Sequence, residues 1–178
     1  MNSLEVRFPA KEQISSELEK QINELDHLAF SVVPDEEDLA SIQWSDGQWM
    51  ALGFLDGELV SQLSLVDRRI LVGGTSVHVA GIGGVATAPQ WQHKGLAAQL
   101  LRQTSPFLKN TMKVPFGLLI CADKLQSFYS SCGWIKAAVS LDYQQSGQNR
   151  TLKTMVMILP LGENKWPDGK IDVCGSPW

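Results

Sequence analysis

The six residues Gln92-His93-Lys94-Gly95-Leu96-Ala97 carry the most legible chemistry in this chain. They follow an apolar, glycine-rich run, His78-Val79-Ala80-Gly81-Ile82-Gly83-Gly84-Val85-Ala86-Thr87, broken by Pro89. They lead into Leu96, Leu100, Leu101, Phe107 and Leu108, which share one helical face. A strand therefore ends, the chain turns, and a helix begins at a glycine. The first N–H groups of a helix lack intrahelical partners and carry the positive end of its dipole. Consecutive amides aimed into such a turn form a nest suited to phosphate or pyrophosphate. Gly95 lets an anion approach the backbone with no side chain in the way. Lys94 adds a cation beside the site, and Ala97 keeps the first helical turn narrow. The residue types thus describe an anion cradle. Gly81, Gly83 and Ala86 also fit the dinucleotide spacing G-x-G-x-x-G/A, but that fingerprint opens a helix at once and has an acid about 20 residues on. Here Thr87-Ala88-Pro89 intervenes and no such acid follows a second strand. A strand-turn-helix with glycines for packing alone stays open at this point.

Several elements must position the cradle. Leu4 to Phe8 alternates as a short strand, and Ile14, Leu18, Ile22, Leu25 and Leu28 predict an amphipathic helix from Lys11 to about Phe30. Pro34 and the acids Asp35-Glu36-Glu37-Asp38 open a second, short helix. That acidic run reads either as dipole stabilisation on a solvated face or as a negative rim attracting a cationic amine. Asp56-Gly57 between the runs Trp49–Leu55 and Leu59–Val66 is a type I′ hairpin signal. Gly73-Gly74 makes a second turn, into the strand that feeds the cradle. The helix after Gly95 is expected to run to about Pro106 or a little beyond. Phe116–Cys121 is a continuous apolar run, expected parallel to the preceding strand and buried on both faces. Lys124 to Ser131 is a short helix stopped by Gly133. Ala137–Tyr143 and Thr154–Leu159 are expected as a last strand pair around a turn at Gly147. The tail from Pro160 to Trp178 carries apolar anchors where tails are ordinarily polar and frayed, so it is expected to pack on the domain.

Composition narrows the class. The 178 residues fit one domain with an adequate core, and 44% hydrophobic with 19% charged residues is a globular balance. Apolar runs are too short to cross a bilayer. The N-terminus lacks the basic start and apolar run of a secretory leader, so a cytoplasmic location is expected. Cys121, Cys132 and Cys174 show no paired spacing and read as reduced thiols. A net charge of −4 argues against a nucleic-acid surface, and scattered His27, His78 and His93 argue against a metal site.

The Q-x-x-G-x-A form of Gln92 to Ala97 resembles the pyrophosphate loop of the GNAT superfamily, the acetyl-CoA-dependent N-acetyltransferases. Phe128-Tyr129-Ser130-Ser131-Cys132-Gly133-Trp134 is similar to that family's downstream "LYxxxGF" segment. The resemblance implies an α/β (α+β) GNAT fold: a mixed, mostly antiparallel sheet with a β-α-β acetyl-CoA-binding core and flanking helices. It implies acetyl-CoA as cofactor, with main-chain groups of Val85, Ala86 and Thr87 along the pantetheine arm. Gln92, His93, Lys94, Gly95, Leu96 and Ala97 would then take the pyrophosphate. Tyr129 stands where the family often carries a tyrosine general acid; a phenol with pKa about 10 can protonate a departing thiolate. The implied acceptor is a small amine-bearing molecule, with Asp35 in the loop that borders the acceptor site in the family and Trp178 folded back toward it. Dimerisation is common in the family, although no stretch here identifies an interface.

The base is less determined. Several relatives use a glutamate on the strand before the loop. The chain is similar to the aminoglycoside 2′-N-acetyltransferases in Arg68-Arg69-Ile70-Leu71 and in a C-terminal tryptophan. Where they carry Glu-Gly-Val-Ala-Val, it reads Gly83-Gly84-Val85-Ala86-Thr87, so neither that base nor their specificity carries over. Asp35, Asp67, Asp142, the terminal carboxylate of Trp178 and a water chain are the remaining candidates. A non-catalytic CoA-binding module and a protein acetyltransferase stay open as alternatives.

Overall fold

A computed structural model describes residues 3–30, 41–137 and 139–178. The short helix expected at 35–39 and the candidate Asp35 lie outside the described residues. The strands are β1 (Glu5–Arg7), β2 (Trp49–Leu55), β3 (Glu58–Val72), β4 (Thr75–Thr87), β5 (Phe116–Cys121), β6 (Ile135–Ala137), β7 (Leu141–Gln145), β8 (Gln148–Leu152), β9 (Met155–Pro160) and β10 (Ile171–Asp172). The helices are α1 (Ser16–Phe30), α2 (Leu96–Asn110) and α3 (Gln126–Ser131).

Three two-residue turns set the antiparallel register. Asp56-Gly57, Gly73-Gly74 and Ser146-Gly147 all hold both residues at positive φ, between 51° and 85°. This is the type I′ geometry whose twist matches that of the paired strands. They join β2 to β3, β3 to β4, and β7 to β8. The third turn corrects one expectation. Thr154–Leu159 does not pair with Ala137–Tyr143; β9 lies between β5 and β6, while β7 folds back on β8. The burial patterns supply the reason. β9 is buried at five consecutive residues and needs neighbours and cover on every side, whereas β7 alternates and needs only one covered face.

The sheet order is β6-β9-β5-β4-β3-β10-β7-β8, with β1 and β2 branching from the first half of β3. β4 and β5 are parallel, joined through α2 as expected. One face is covered by α2, whose Leu96, Leu100, Leu101 and Leu108 pack on Leu63, Leu65, Ala80, Ile82, Leu119 and Met157. Pro106 does not end this helix, which continues to Asn110. The carbonyl left without a donor is that of Arg102, on the exposed side, where water can serve it.

The opposite face carries two separate covers. α1 lays Leu18, Ile22 and Leu25 on Leu52, Phe54, Leu59 and Ala86. The helix starts later than its apolar pattern suggested: Lys11–Gln13 is a single 3₁₀ turn, and the Ser15 hydroxyl accepts from the Leu18 N–H. Farther along, β7, β8, β10 and the tail fold over the sheet, so Leu141, Tyr143, Leu152, Ile171, Val173 and Trp178 share a core with Val66, Ile70, Val79, Leu118 and Ile158. Residues 62, 64, 66 and 68 of β3 point to this side, because strand side chains alternate. The interval between the two covers falls at Ser64, opposite Gly83.

Candidate active site

The middle of the sheet opens where two parallel strands part. β4 and β5 are in register from Val79–Phe116 to Ile82–Leu119 and no further. β5 continues against β9 while β4 continues to Thr87 against β3 alone. From Gly83 onward β4 therefore presents a free edge. A bulge marks the start of it. Gln62 opposes Ala86 and Ser64 opposes Gly83, so Gly84 and Val85 share the single partner Leu63. Gly84 is at φ +56°, a conformation that a β-carbon disfavours. The Ala86 carbonyl accepts from Ser61 Oγ at 2.8 Å, and the Ala88 N–H donates to Val60 O at 2.9 Å, both toward β3. Alternation then places the main-chain groups of Val85 and Thr87 on the free edge, and those of Ala86 away from it. The Ala86 side chain is buried beneath α1.

The loop after β4 is held open by its neighbours. Pro89–Trp91 forms a 3₁₀ turn, His93 is at φ +60°, and Gly95 caps α2 at φ +77°. Gln92 Nε2 donates to Thr87 O at 3.1 Å, tying the loop to the end of β4. The Trp91 indole donates to Glu58 at 3.2 Å and supports the Lys94 ammonium 4.3 Å from its ring centroid. Among the described residues, none of the amides from His93 to Ala97 donates a hydrogen bond. No atom outside its immediate neighbours comes within 4 Å of where a Gly95 β-carbon would stand. The Leu96 side chain is buried in the core, so only its N–H is offered. The amide donors of this loop are therefore unspent, and its residues His93, Lys94 and Gly95 are exposed.

α3, which follows β5 in the chain, carries Tyr129. Its ring is buried against Phe128 and Trp134. Its hydroxyl makes no hydrogen bond to the described residues, and it is not sealed in. Burial, with smaller contributions from Cys121 and Cys132, pushes its pKa well above that of an ordinary phenol. Burial thus favours a neutral, proton-bearing hydroxyl at Tyr129. The three cysteines are free thiols, as expected.

Behind the bulge, on the face opposite α2, the tail closes in. Trp178 is buried and its indole N–H donates to Leu118 O at 3.2 Å. The ring lies on Gly81, and its carboxyl carbon would be 2.9 Å from a Gly83 β-carbon. A side chain at residue 83 is therefore incompatible with the tail as placed. Arg68 clamps this arrangement: its guanidinium donates to Ser176 O at 2.6 Å, Val173 O at 3.3 Å and Ser45 Oγ at 2.8 Å, and lies 5.2 Å from the Trp178 ring centroid.

Two other carboxylate candidates are occupied elsewhere. Asp67 follows the alternate face of β3 from Ser64 and pairs with His78 at 2.6 Å. Asp142 lies under Lys170 and Thr151; burial pushes its pKa up, but those hydrogen bonds hold it below the ordinary carboxylate value. At Gly84 itself the side-chain carboxylate within reach is that of Asp26 on α1, with Oδ1 4.0 Å from a Gly84 β-carbon position, as is Ser64 Oγ. Sequence reasoning passed over Asp26 and Ser64, and took Arg68 only as part of a resemblance. The available signal was an acid on the border of an apolar stripe, one turn beyond Ile22. Among the described residues there is no cluster of His, Cys, Asp or Glu that could hold a metal, and no helix long and apolar enough to cross a membrane.

These features agree with what the chain is similar to. The family profile of the Acetyltransferase (GNAT) domain matches residues 12–137. An aminoglycoside 2′-N-acetyltransferase from Mycolicibacterium fortuitum is 27% identical, over 67% of this chain and 65% of its own length, just under two thirds of that relative. A putative N-acetyltransferase from Lactobacillus plantarum superposes with a TM-score of 0.63 at 18% identity, over 90% of this chain and 99% of that one. A GNAT family acetyltransferase from Brucella melitensis, solved in complex with acetyl-CoA, gives 0.62 at 15% identity over 94% of each chain. A probable N-acyltransferase from Enterococcus faecalis gives 0.56 at 21% identity, but this chain spans only 33% of it. With a splayed β4–β5 pair, a bulge at Gly84 and an open amide nest before α2, the chain belongs to the GNAT acetyltransferases, the family of transferases that draw their acetyl group from acetyl-CoA.

Proposed function

We propose that this protein moves the acetyl group of acetyl-CoA onto a primary amine of a small, cationic molecule. The observation that carries the reading is the run of unpartnered amides from His93 to Ala97 beside the free edge of β4. In this reading those amides, with Gln92 and Lys94 alongside, hold the diphosphate at the positive end of α2. The pantetheine arm lies along the Val85–Thr87 edge, hydrogen-bonded to Val85 and Thr87 and passing Ala86. That places the thioester at the splay and makes the amine's attack local. As the carbon–sulfur bond breaks, the Tyr129 hydroxyl gives its proton to the departing thiolate and recovers one from the newly acylated nitrogen.

The acceptor enters from the other face, between α1 and the tail. Asp26 and Ser64 gather there beside Gly84, which suits an ammonium group. The layer formed by β7, β8, β10 and the tail occupies the surface an extended peptide would need, which supports a small acceptor. An aminoglycoside, the substrate named for the Mycolicibacterium relative, is one molecule of this class.

The test is thiol release from acetyl-CoA over a panel of aminoglycosides, polyamines and amino-acid esters, run beside a thermal shift with CoA. CoA should raise the melting temperature, and at least one polyamine should release thiol stoichiometrically with its N-acetyl product. Stabilisation by CoA with every amine silent would leave a CoA-binding module. No stabilisation at all would remove the whole reading.

A further inference from the structure

We propose that Asp26 is the catalytic carboxylate that holds the acceptor's ammonium group at the Gly84 bulge and takes its proton before attack. This deepens the proposed amine acetylation and rests on it. The donor side of the splay is fixed by the nest before α2, so an acceptor must approach the thioester from the opposite face. On that face the bulge leaves a gap over Gly84, whose missing β-carbon would have, among the described residues, only Asp26 Oδ1 and Ser64 Oγ near it, each at 4.0 Å. Positive φ holds residue 84 to glycine, so no side chain of β4 intrudes between Asp26 and the main chain next to Val85.

The carboxylate is oriented from beneath. Gln62 is 2% exposed, and its Nε2 donates to Ile22 O at 3.2 Å and Asp26 Oδ1 at 3.4 Å. Both contacts are acceptors, which determines which end of the amide carries nitrogen. Its Oε1 is buried without a partner. Leucine would fill the space under α1 without an orphaned acceptor, so a glutamine kept at that cost points to a role in holding its neighbour. Gln62 is thus a positioning residue that occupies one oxygen of Asp26. The second oxygen makes no hydrogen bond to the described residues and remains available to an ammonium.

Asp26 is exposed as a residue, but partial desolvation of its carboxyl raises the pKa and the Gln62 hydrogen bond opposes this, so the carboxylate is a better proton acceptor than a fully solvated one. The groups facing it from β3 and β4 are the Gln62 amide, the Ser64 hydroxyl and Gly84, none of which titrates near neutral pH. On α1 its neighbour His27 is the nearest ionisable residue in sequence, and the carboxyl end of Trp178 lies beyond Ser64. The step balances. The ammonium gives one proton to Asp26, which later releases it to water. The free amine adds to the carbonyl, the carbon–sulfur bond breaks, and the thiolate leaves as the thiol with the proton from Tyr129, which regains one from the acylated nitrogen.

Two measurements test this in the full chain. In the first, Asp26→Asn and Gln62→Leu are compared with wild type on whichever panel amine is best acetylated, from pH 5.5 to 9.5. Asp26→Asn should lower kcat/KM on the order of 100-fold and abolish its acidic limb, with the CoA thermal shift unchanged. Gln62→Leu should displace that limb with a smaller loss. Asp26→Asn within threefold of wild type at every pH overturns the proposal. The second needs no turnover. Carboxyl-carbon NMR of the CoA complex is titrated with ethylammonium, and the Asp26 signal is identified by its loss in Asp26→Asn. The signal should move with ethylammonium in wild type. A stationary signal overturns the proposal even if an amine is turned over, and a moving one sustains it even if the panel is silent, which would count against acetyl transfer alone.

Discussion

A β-carbon at residue 81 would lie 2.1, 2.3 and 2.5 Å from three indole atoms of Trp178, where packed carbons do not come within 3.0 Å. Gly81→Ala must therefore evict the ring, since the other atom involved is the backbone of a central strand. Eviction gives up the burial of a tryptophan only 5% exposed, its hydrogen bond to Leu118 O and its contact with Arg68. Truncating a buried tryptophan costs about 3–5 kcal/mol. An evicted ring recovers little of this, so Gly81→Ala is expected to cost about 3 kcal/mol. In a chain of this size that lowers the melting temperature on the order of 10 °C. The double-mutant cycle isolates the cause. With Trp178→Ala already in place, the same alanine meets no ring, and it replaces a glycine in an extended strand, a change worth about 0.5–1 kcal/mol in the stabilising direction. The substitution thus changes sign between backgrounds. Urea melts of the four proteins measure it, with CoA affinity expected within threefold throughout because the nest lies on another element. Equal cost in both backgrounds would refute the packing argument.

Gly95→Glu forces a side chain into the left-handed region and sets a negative charge at the nest. It should cost about 1–2 kcal/mol in unliganded melts and abolish retention on a CoA resin; undiminished retention would exclude the nest as the diphosphate site. Tyr129→Phe removes a hydroxyl without a hydrogen-bond partner, so stability should change by less than about 1 kcal/mol while kcat falls roughly 10²- to 10⁴-fold at unchanged CoA affinity; an unchanged kcat would remove Tyr129 as the acid. The raised Tyr129 pKa has a stability consequence of definite sign. Below the unfolded phenol's value, about 10, both states are protonated and the shift has no effect. Above it the unfolded state loses the proton first, so stability falls by up to about 1.4 kcal/mol per pH unit, and Tyr129→Phe should lack that component in alkaline melts. Arg68→Lys cannot reach Ser45 and Ser176 with one fork, and should cost about 1–3 kcal/mol and expose Lys170 to trypsin in the native protein; a protected tail would show that Arg68 is not its clamp.

Local chemistry in the chain was enough to announce the hairpin turns at Asp56-Gly57 and Gly73-Gly74 and the glycine start of α2. Each depends on neighbours a few residues apart, and positive φ leaves a plain mark in residue type. The apolar end of the tail signalled that it would pack. What the tail packs against was not legible. That Trp178 lies on Gly81, and that its carboxyl end fills the space of a side chain at residue 83, depends on Arg68 gathering carbonyls from residues more than 100 positions away. The partner of β9 was misread because alternation and apolar runs describe how many sides of a strand are covered, without naming the neighbour. Asp26 was invisible for a related reason. In sequence it is one acid among several on an amphipathic helix, and only the crossing of α1 over β3 and β4 brings its carboxylate to a glycine 58 residues further along the chain. Sequence determined the backbone conformations of the turns and of the loop before α2; tertiary packing decided which carboxylates lie at the Gly83-Gly84 bulge, because that is a contact between surfaces with no local code.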